Sequence, residues 1–284
     1  MAEEAAAGGA RPFLPDEIII WEILVHLDPR TLFRCGTVRR SWRLVTSTRR
    51  FLMAHHARQP ALPIFPGDVL GIKCNSILAF DHRAAADAQL HTVARFDKGF
   101  DLEASCDGLL VLSEFNHTTF SRTFSVCNPA TCEHGYLRLP PWKYLKTLGM
   151  YLHQPTGEYR LLLQRRIFTG LPKDQTCCYI FSLGSDRSPR SIAWPGTLLA
   201  HFNLPSRLHD SLHWYPKCYQ GASKPVIIVF DTIAESFRMI CAPFVSTDSY
   251  IFEMSDALGL YSESDSGTTK YVDIWVLQNY ENEN

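Results

Sequence analysis

The stretch LPDEIIIWEILVHL, residues 14–27, decides how the amino end folds and what else it must meet. Pro15, Asp16 and Glu17 make a helix start, with proline in the first turn and acids at the positive end of the dipole. At about 100° per residue, Glu22 and His26 share one narrow polar strip, while Ile18, Ile19, Ile20, Trp21, Ile23, Leu24, Val25 and Leu27 cover the other sides. One face can bury itself on neighbouring helices. The rest needs a second domain or a separate protein.

Beyond this helix, Asp28-Pro29 reads as a cap followed by proline at the first helical position. That predicts a short second helix from about Arg30 to Cys35, with Leu32 and Phe33 as its apolar pair. Gly36 should end it. Thr37 then caps a third helix in which Val38, Trp42 and Val45 recur at i, i+4 and i+7 while Arg39, Arg40 and Arg43 point outward. Leu32, Val38 and Trp42 are the expected core of this three-helix unit, and His55-His56 read as solvent-facing linker. Fewer than about 50 residues seldom enclose enough apolar surface to stand alone, so the first helix should complete its burial on a partner.

The run Leu14-Pro15-x-Glu17-Ile18, then Ile23-Leu24, Leu27, Leu32, Val38, Ser41-Trp42-Arg43 and Phe51, resembles an F-box, the adaptor-binding module of cullin-RING ubiquitin ligases. The likeness covers residues 13 to 52 and departs at Arg39-Arg40, where the family often carries Cys-Lys or Cys-Arg. It implies docking on a Skp-type adaptor, which in turn holds the cullin, and no chemistry of the module's own. Carried over by position, Leu14, Pro15, Ile18, Ile23, Leu24 and Leu27 are the implied adaptor contacts. Leu14 and Pro15 precede the helix, add little to a small core, and are the firmest of the six.

With 284 residues, a net charge of −1 and 46% hydrophobic content, the chain reads as a soluble folded protein, neither disordered nor broadly polybasic. Residues 1–11 are small and weakly acidic, lack a secretory h-region, and read as a disordered tail. No stretch approaches the roughly 18 apolar residues of a membrane span. Nine cysteines, an odd number without a CxxC pair, point to reduced thiols and to the cytoplasm or nucleus. Zinc spacing is absent, so neither a metal nor another cofactor is expected.

A boundary falls at QPALPIFPG, Gln59 to Gly67, where three prolines and a glycine gather. It separates a helical module at 12–58 from a β domain at 70–284, with 59–69 as linker. Downstream, β-type runs appear at Ile77–Phe80, Leu109–Leu112, Phe124–Cys127, Tyr159–Leu163, Tyr179–Leu183, Val226–Phe230 and Val272–Leu277. A hairpin-like unit recurs over Phe124–Pro141, Met150–Leu163, Tyr179–Pro195 and Val226–Pro243, as in a repeated sheet assembly. The expected class is an α+β multidomain chain, a small N-terminal helical module followed by an all-β propeller-like domain.

Asp107-Gly108-Leu109-Leu110, Asn128-Pro129-Ala130-Thr131 with Leu139-Pro140-Pro141, Ser211-Leu212-His213-Trp214 and Phe230-Asp231-Thr232 resemble the plant F-box-associated domain, which is kelch-like in character. Members of that family usually continue past the strand at Val272–Leu277. The propeller is therefore expected either to lack part of its last blade or to close with fewer blades.

Catalytic signatures are missing: no GxSxG elbow, GxGxxG fingerprint or Walker A loop occurs. His209 and His213 are four apart with Asp210 between them, but the following Trp214-Tyr215 favours a strand, which splays the pair away from a helical zinc geometry. Arg30, Arg34, Arg39, Arg40, Arg43, Arg49, Arg50 and Arg58 face one acid, Asp28, and could hold nucleic-acid phosphate. That reading leaves the oily first helix unexplained. The resemblance instead implies a non-enzymatic substrate receptor of a Skp–cullin–F-box ligase, whose β domain holds an unknown target protein. A scaffold or inhibitor bound to the adaptor, and an enzyme built on a propeller, are the other readings.

Overall fold

The computed structural model describes residues 14–59, 62, 64–67, 75–81, 89–119, 121–129, 133–167, 175–194, 204–215, 226–242, 249–254, 256–265 and 270–277. The tail expected at 1–11, parts of the linker and the closing NYENEN lie outside the described residues. Two compact units emerge, Met1–Phe65 with Leu78–Val93 and Pro66–Ile77 with Ala94–Asn284.

The opening helix is not a uniform α-helix. One α turn, α1 (Asp16–Ile18), runs into a π turn over Ile19–Ile23 and then a 3-10 turn over Leu24–His26. A π turn holds more residues per turn than 100° steps allow, so it moves the apolar face along the chain. Ile20, Leu24 and Val25 turn inward, whereas Ile18 and Ile23 stay exposed. Leu24 is only 2% exposed, which corrects its place among the partner contacts: it is core. Leu27 is half-buried against the same cluster.

Asp28 caps α2 (Pro29–Val38) by accepting the Thr31 N–H at 3.1 Å. Gly36 and Thr37 do not interrupt this helix. The break falls instead at Arg39, whose extended backbone (φ −137°, ψ 133°) separates α2 from α3 (Arg40–Thr46). Val38 therefore sits on a different helix from Trp42 and Val45, loses their phase, and is 69% exposed. Its assignment to the core is corrected accordingly. Leu32 is in the core, and Trp42 packs half-buried against it.

A fourth helix, α4 (Arg49–His56), has no counterpart in the sequence reading. The Thr48 hydroxyl caps it by accepting the Phe51 N–H at 3.3 Å. Phe51 plugs the centre of the unit, stacked 6.1 Å from the His55 ring and tilted against Trp21 at 5.6 Å. His55 is buried with Nε2 2.8 Å from the Leu27 carbonyl, so it belongs to the fold and not to a linker; His56 is exposed.

Five sheets follow among the described residues. The first orders β1 (Ile64–Pro66), β2 (Ser76–Asp81) and β3 (Gln89–Arg95). Next come β4 (Asp101–Cys106), β5 (Leu109–Asn116), β6 (Ser121–Asn128) and β7 (Glu133–Tyr136), then β8 (Leu145–His153), β9 (Glu158–Ile167), β10 (Gln175–Ser182) and β11 (Arg190–Ile192). The fourth holds β12 (Ser206–Leu208), β13 (Ser211–Trp214), β14 (Val226–Asp231) and β15 (Ser236–Cys241); the last has three strands, β16 (Ser249–Met254), β17 (Ala257–Asp265) and β18 (Lys270–Leu277). The last four sheets are antiparallel meanders, the blades of a propeller-like domain. All four recurring hairpins are real pairs, but β8–β9 and β10–β11 share one sheet, so the sequence repeat is not one copy per blade.

Three apolar cores link these blades in series. Val111, Phe124, Met150, Leu161 and Leu163 fill the first; Tyr151, Leu162, Ile180, Trp214 and Phe230 the second; Ile227, Val229, Ile240, Leu258 and Leu260 the third. Because side chains alternate along a strand, Leu161 and Leu163 serve one core and Leu162 the other, and Ile227 to Phe230 divide in the same way. Adjacent blades approach closely. Trp214 Nε1 donates to the Leu148 carbonyl at 3.3 Å, and a Cβ on Gly149 would meet Leu212 and Pro205 at 3.0 and 3.2 Å.

Candidate functional site

The helical unit carries more apolar surface than it can enclose. Its core takes Ile20, Leu24, Val25, Leu32 and Phe51. Around it Leu14, Ile18 and Ile23 are 56, 44 and 43% exposed, and Pro15 is also exposed. Phe33, Val38, Leu44, Leu52 and Met53 are exposed too. The sequence reading did not single these five out as contacts; the signal for them is an apolar count too large for so small a core.

Asp16 fixes the start of this surface. Its carboxylate accepts from Arg39 Nη1 at 2.7 Å, Trp42 Nε1 at 3.3 Å and the Ser41 hydroxyl at 3.4 Å, tying α1 to α3. The Arg39 guanidinium also lies 5.5 Å from the Trp42 ring centre, and Arg50 covers Trp21 at 5.0 Å. Two of the arginines considered as phosphate ligands are thus engaged in holding the unit together.

Among the described cysteines of the β unit, Cys106, Cys127 and Cys178 are buried, Cys177 is half-buried and Cys241 is exposed. Cys106 is pushed up to about 12 by burial and the Asp107 charge, Cys127 up to about 11 by burial, and burial also raises the Cys178 thiol. His213 is fully buried, and desolvation lowers it to about 4 against the opposing Ser206 carbonyl contact. His209 stands in the β12–β13 turn at φ 50°, so the two histidines do not converge. Among the described residues no cluster of His, Cys, Asp and Glu could hold a metal.

Polar side chains join blades instead. Glu235, in the β14–β15 turn at φ 51°, accepts from Tyr151 Oη and Arg160 Nη1, both at 2.6 Å, and from Arg190. Burial raises its carboxyl, but the Tyr151 and Arg160 hydrogen bonds and the two guanidinium charges outweigh it, and the result is lowered.

A short helical module with uncovered apolar side chains, followed by a propeller-like β domain, defines the class of F-box proteins with a C-terminal β domain. The chain belongs to the F-box associated beta propeller domain family, whose model matches residues 74–284, and the F-box-like model matches residues 12–59. Relatives from Arabidopsis thaliana include the putative F-box protein At1g30920, 26% identical over 54% of this chain and 40% of its own length. F-box protein At5g10340 is 25% identical over 85% of this chain and 61% of its own length, and F-box protein At3g07870 is 24% identical over 96% and 71%. The chain thus spans 40 and 61% of the first two. No enzyme family is among these matches.

Proposed function

We propose that this protein is a substrate-recognition subunit of a Skp–cullin–F-box ubiquitin ligase. The helical module docks on a Skp-type adaptor, and the β domain holds a target protein. Such a subunit contributes placement and no chemistry: tethering a target beside the charged conjugating enzyme raises its effective concentration without any reacting group of its own. The cytoplasm or nucleus is the compartment this reading requires.

One observation carries it. Leu14, Ile18 and Ile23 stand in solvent at the start of a module whose core is already filled by Leu24 and its neighbours. Uncovered apolar side chains beside a complete core fit a protein partner better than a phosphate backbone.

The full chain, co-expressed with a Skp-type adaptor, is expected to co-elute with it. Leu14→Ala/Pro15→Ala and Ile18→Ala/Ile23→Ala should each weaken the complex by about tenfold or more, the scale of losing contact residues at an interface. Leu24→Ala should instead lower the melting temperature of the module. Failure of the wild-type chain to form a complex would end the ligase assignment.

A further inference from the structure

The last sheet ends on an edge unlike those of the sheets before it. The three four-stranded sheets end on β7, β11 and β15, of four, three and six residues. Keeping the outermost strand short is one way a sheet avoids pairing with a foreign chain. β18 has eight residues, KYVDIWVL, and closes a sheet of three strands. Among the described residues no strand pairs with its outer edge.

Alternation divides β18 between two faces. Trp275 and Leu277 pack on the third core. Val272, Ile274 and Val276 lie on the other face and are 57, 61 and 44% exposed. Across the sheet, Val276 lines up with Gly259 and Phe252, and Ile274 with Tyr261 and Tyr250, whose rings stack at 5.0 Å. Two apolar rows therefore cross the sheet and stop at its open edge. A strand with apolar residues at every second position would continue both.

The order of residues in β18 selects that strand. Val272-Asp273-Ile274-Trp275-Val276 carries β-branched apolar residues symmetrically about Ile274. A second β18 laid antiparallel, with Ile274 facing its own copy, sets Val272 against Val276, Tyr271 against Leu277 and Asp273 against Trp275. No like charges meet. Centring the pairing on Asp273 would oppose two carboxylates, and centring it on Trp275 would set Val272 against the polar Gln278. One register thus completes both edges at once, as a twofold interface requires.

We propose that two copies of this chain associate edge to edge through β18, joining their last sheets into one antiparallel sheet with the twofold axis at Ile274. One strand and a strip of side chains make a smaller contact than a standard interface, so a dissociation constant on the order of 10 µM is expected. Sedimentation velocity of the purified full chain between about 1 and 100 µM should show the weight-average mass rising from one chain toward two. Ile274→Lys sets two ammonium groups against each other at the axis and should weaken the dimer by about tenfold, with the melting temperature unchanged because this side chain is in solvent. Disulfide trapping tests the register. Under mild oxidation Ile274→Cys should link to its own copy well above the wild-type background. Val272→Cys alone should not, because its copy lies four residues further along, ~13 Å away and beyond the reach of a disulfide. Mixing Val272→Cys chains with Val276→Cys chains should restore linking. A chain that stays monomeric throughout, leaving the edge to a strand of another protein, would overturn the proposal. So would an association that Ile274→Lys leaves intact, or equal trapping of Ile274→Cys and Val272→Cys.

Discussion

At Gly259 the missing side chain leaves room for the ring of Phe252. Phe252 is its cross-strand partner, and a Cβ on Gly259 would overlap the Phe252 ring. Gly259→Ala is therefore expected to destabilise the β domain by about 1–3 kcal/mol, the usual cost of overpacking, measured by urea titration. Adding Phe252→Ala should recover part of the loss, since the ring is the obstacle. Other single positions show where residue-level reading succeeds. Leu32 was legible as core because it follows a clear cap, whereas Val38 was misplaced because nothing in its neighbours marks the extended Arg39 as a break. Leu24 was misplaced because regular helical steps cannot anticipate a π turn.

Elements were more readable than their ends. All seven predicted β runs fall on strands, because short apolar stretches rich in β-branched and aromatic residues between turn signals have few other uses. One strand residue and one turn residue carry the pH response. His213 on β13 is lowered to about 4 by burial, so the unfolded chain takes up its proton from about pH 6.5 downward and the folded chain does not. Stability present above pH 6.5 is therefore lost as pH falls toward 4. Glu235 in the β14–β15 turn is held below its ordinary 4.5, so its contribution is lost further down, as pH falls through that folded value. Urea denaturation at a series of pH values should resolve two stages of loss. His213→Leu should flatten the upper one and Glu235→Gln the lower, with Glu235→Gln also costing about 2–3 kcal/mol at neutral pH through the partners it leaves uncompensated.

At the scale of the whole β domain, stability resides between blades as much as within them. Leu162 occupies the second core, between the β8–β11 and β12–β15 sheets, and is fully buried. Leu162→Ala is expected to cost about 2–5 kcal/mol and, by amide hydrogen exchange, to lower protection in both sheets together. Protection lost in the β8–β11 sheet alone would contradict this coupling. The module-and-propeller division was legible because its two parts obey different periodicities, one near 3.6 and one near 2. Its serial cores were not, since runs such as Leu161 to Leu163 record that both faces of a strand are apolar without recording what covers each. Those runs have a further consequence. A strand that serves two cores has no silent side, so a saturation scan across Leu161–Leu163 or Ile227–Phe230 would find intolerance at every step where an ordinary amphipathic strand alternates. Freedom to vary is left to outlying strands such as β7, whose four residues all face water, and it is there that sequences of this architecture can drift without losing the fold.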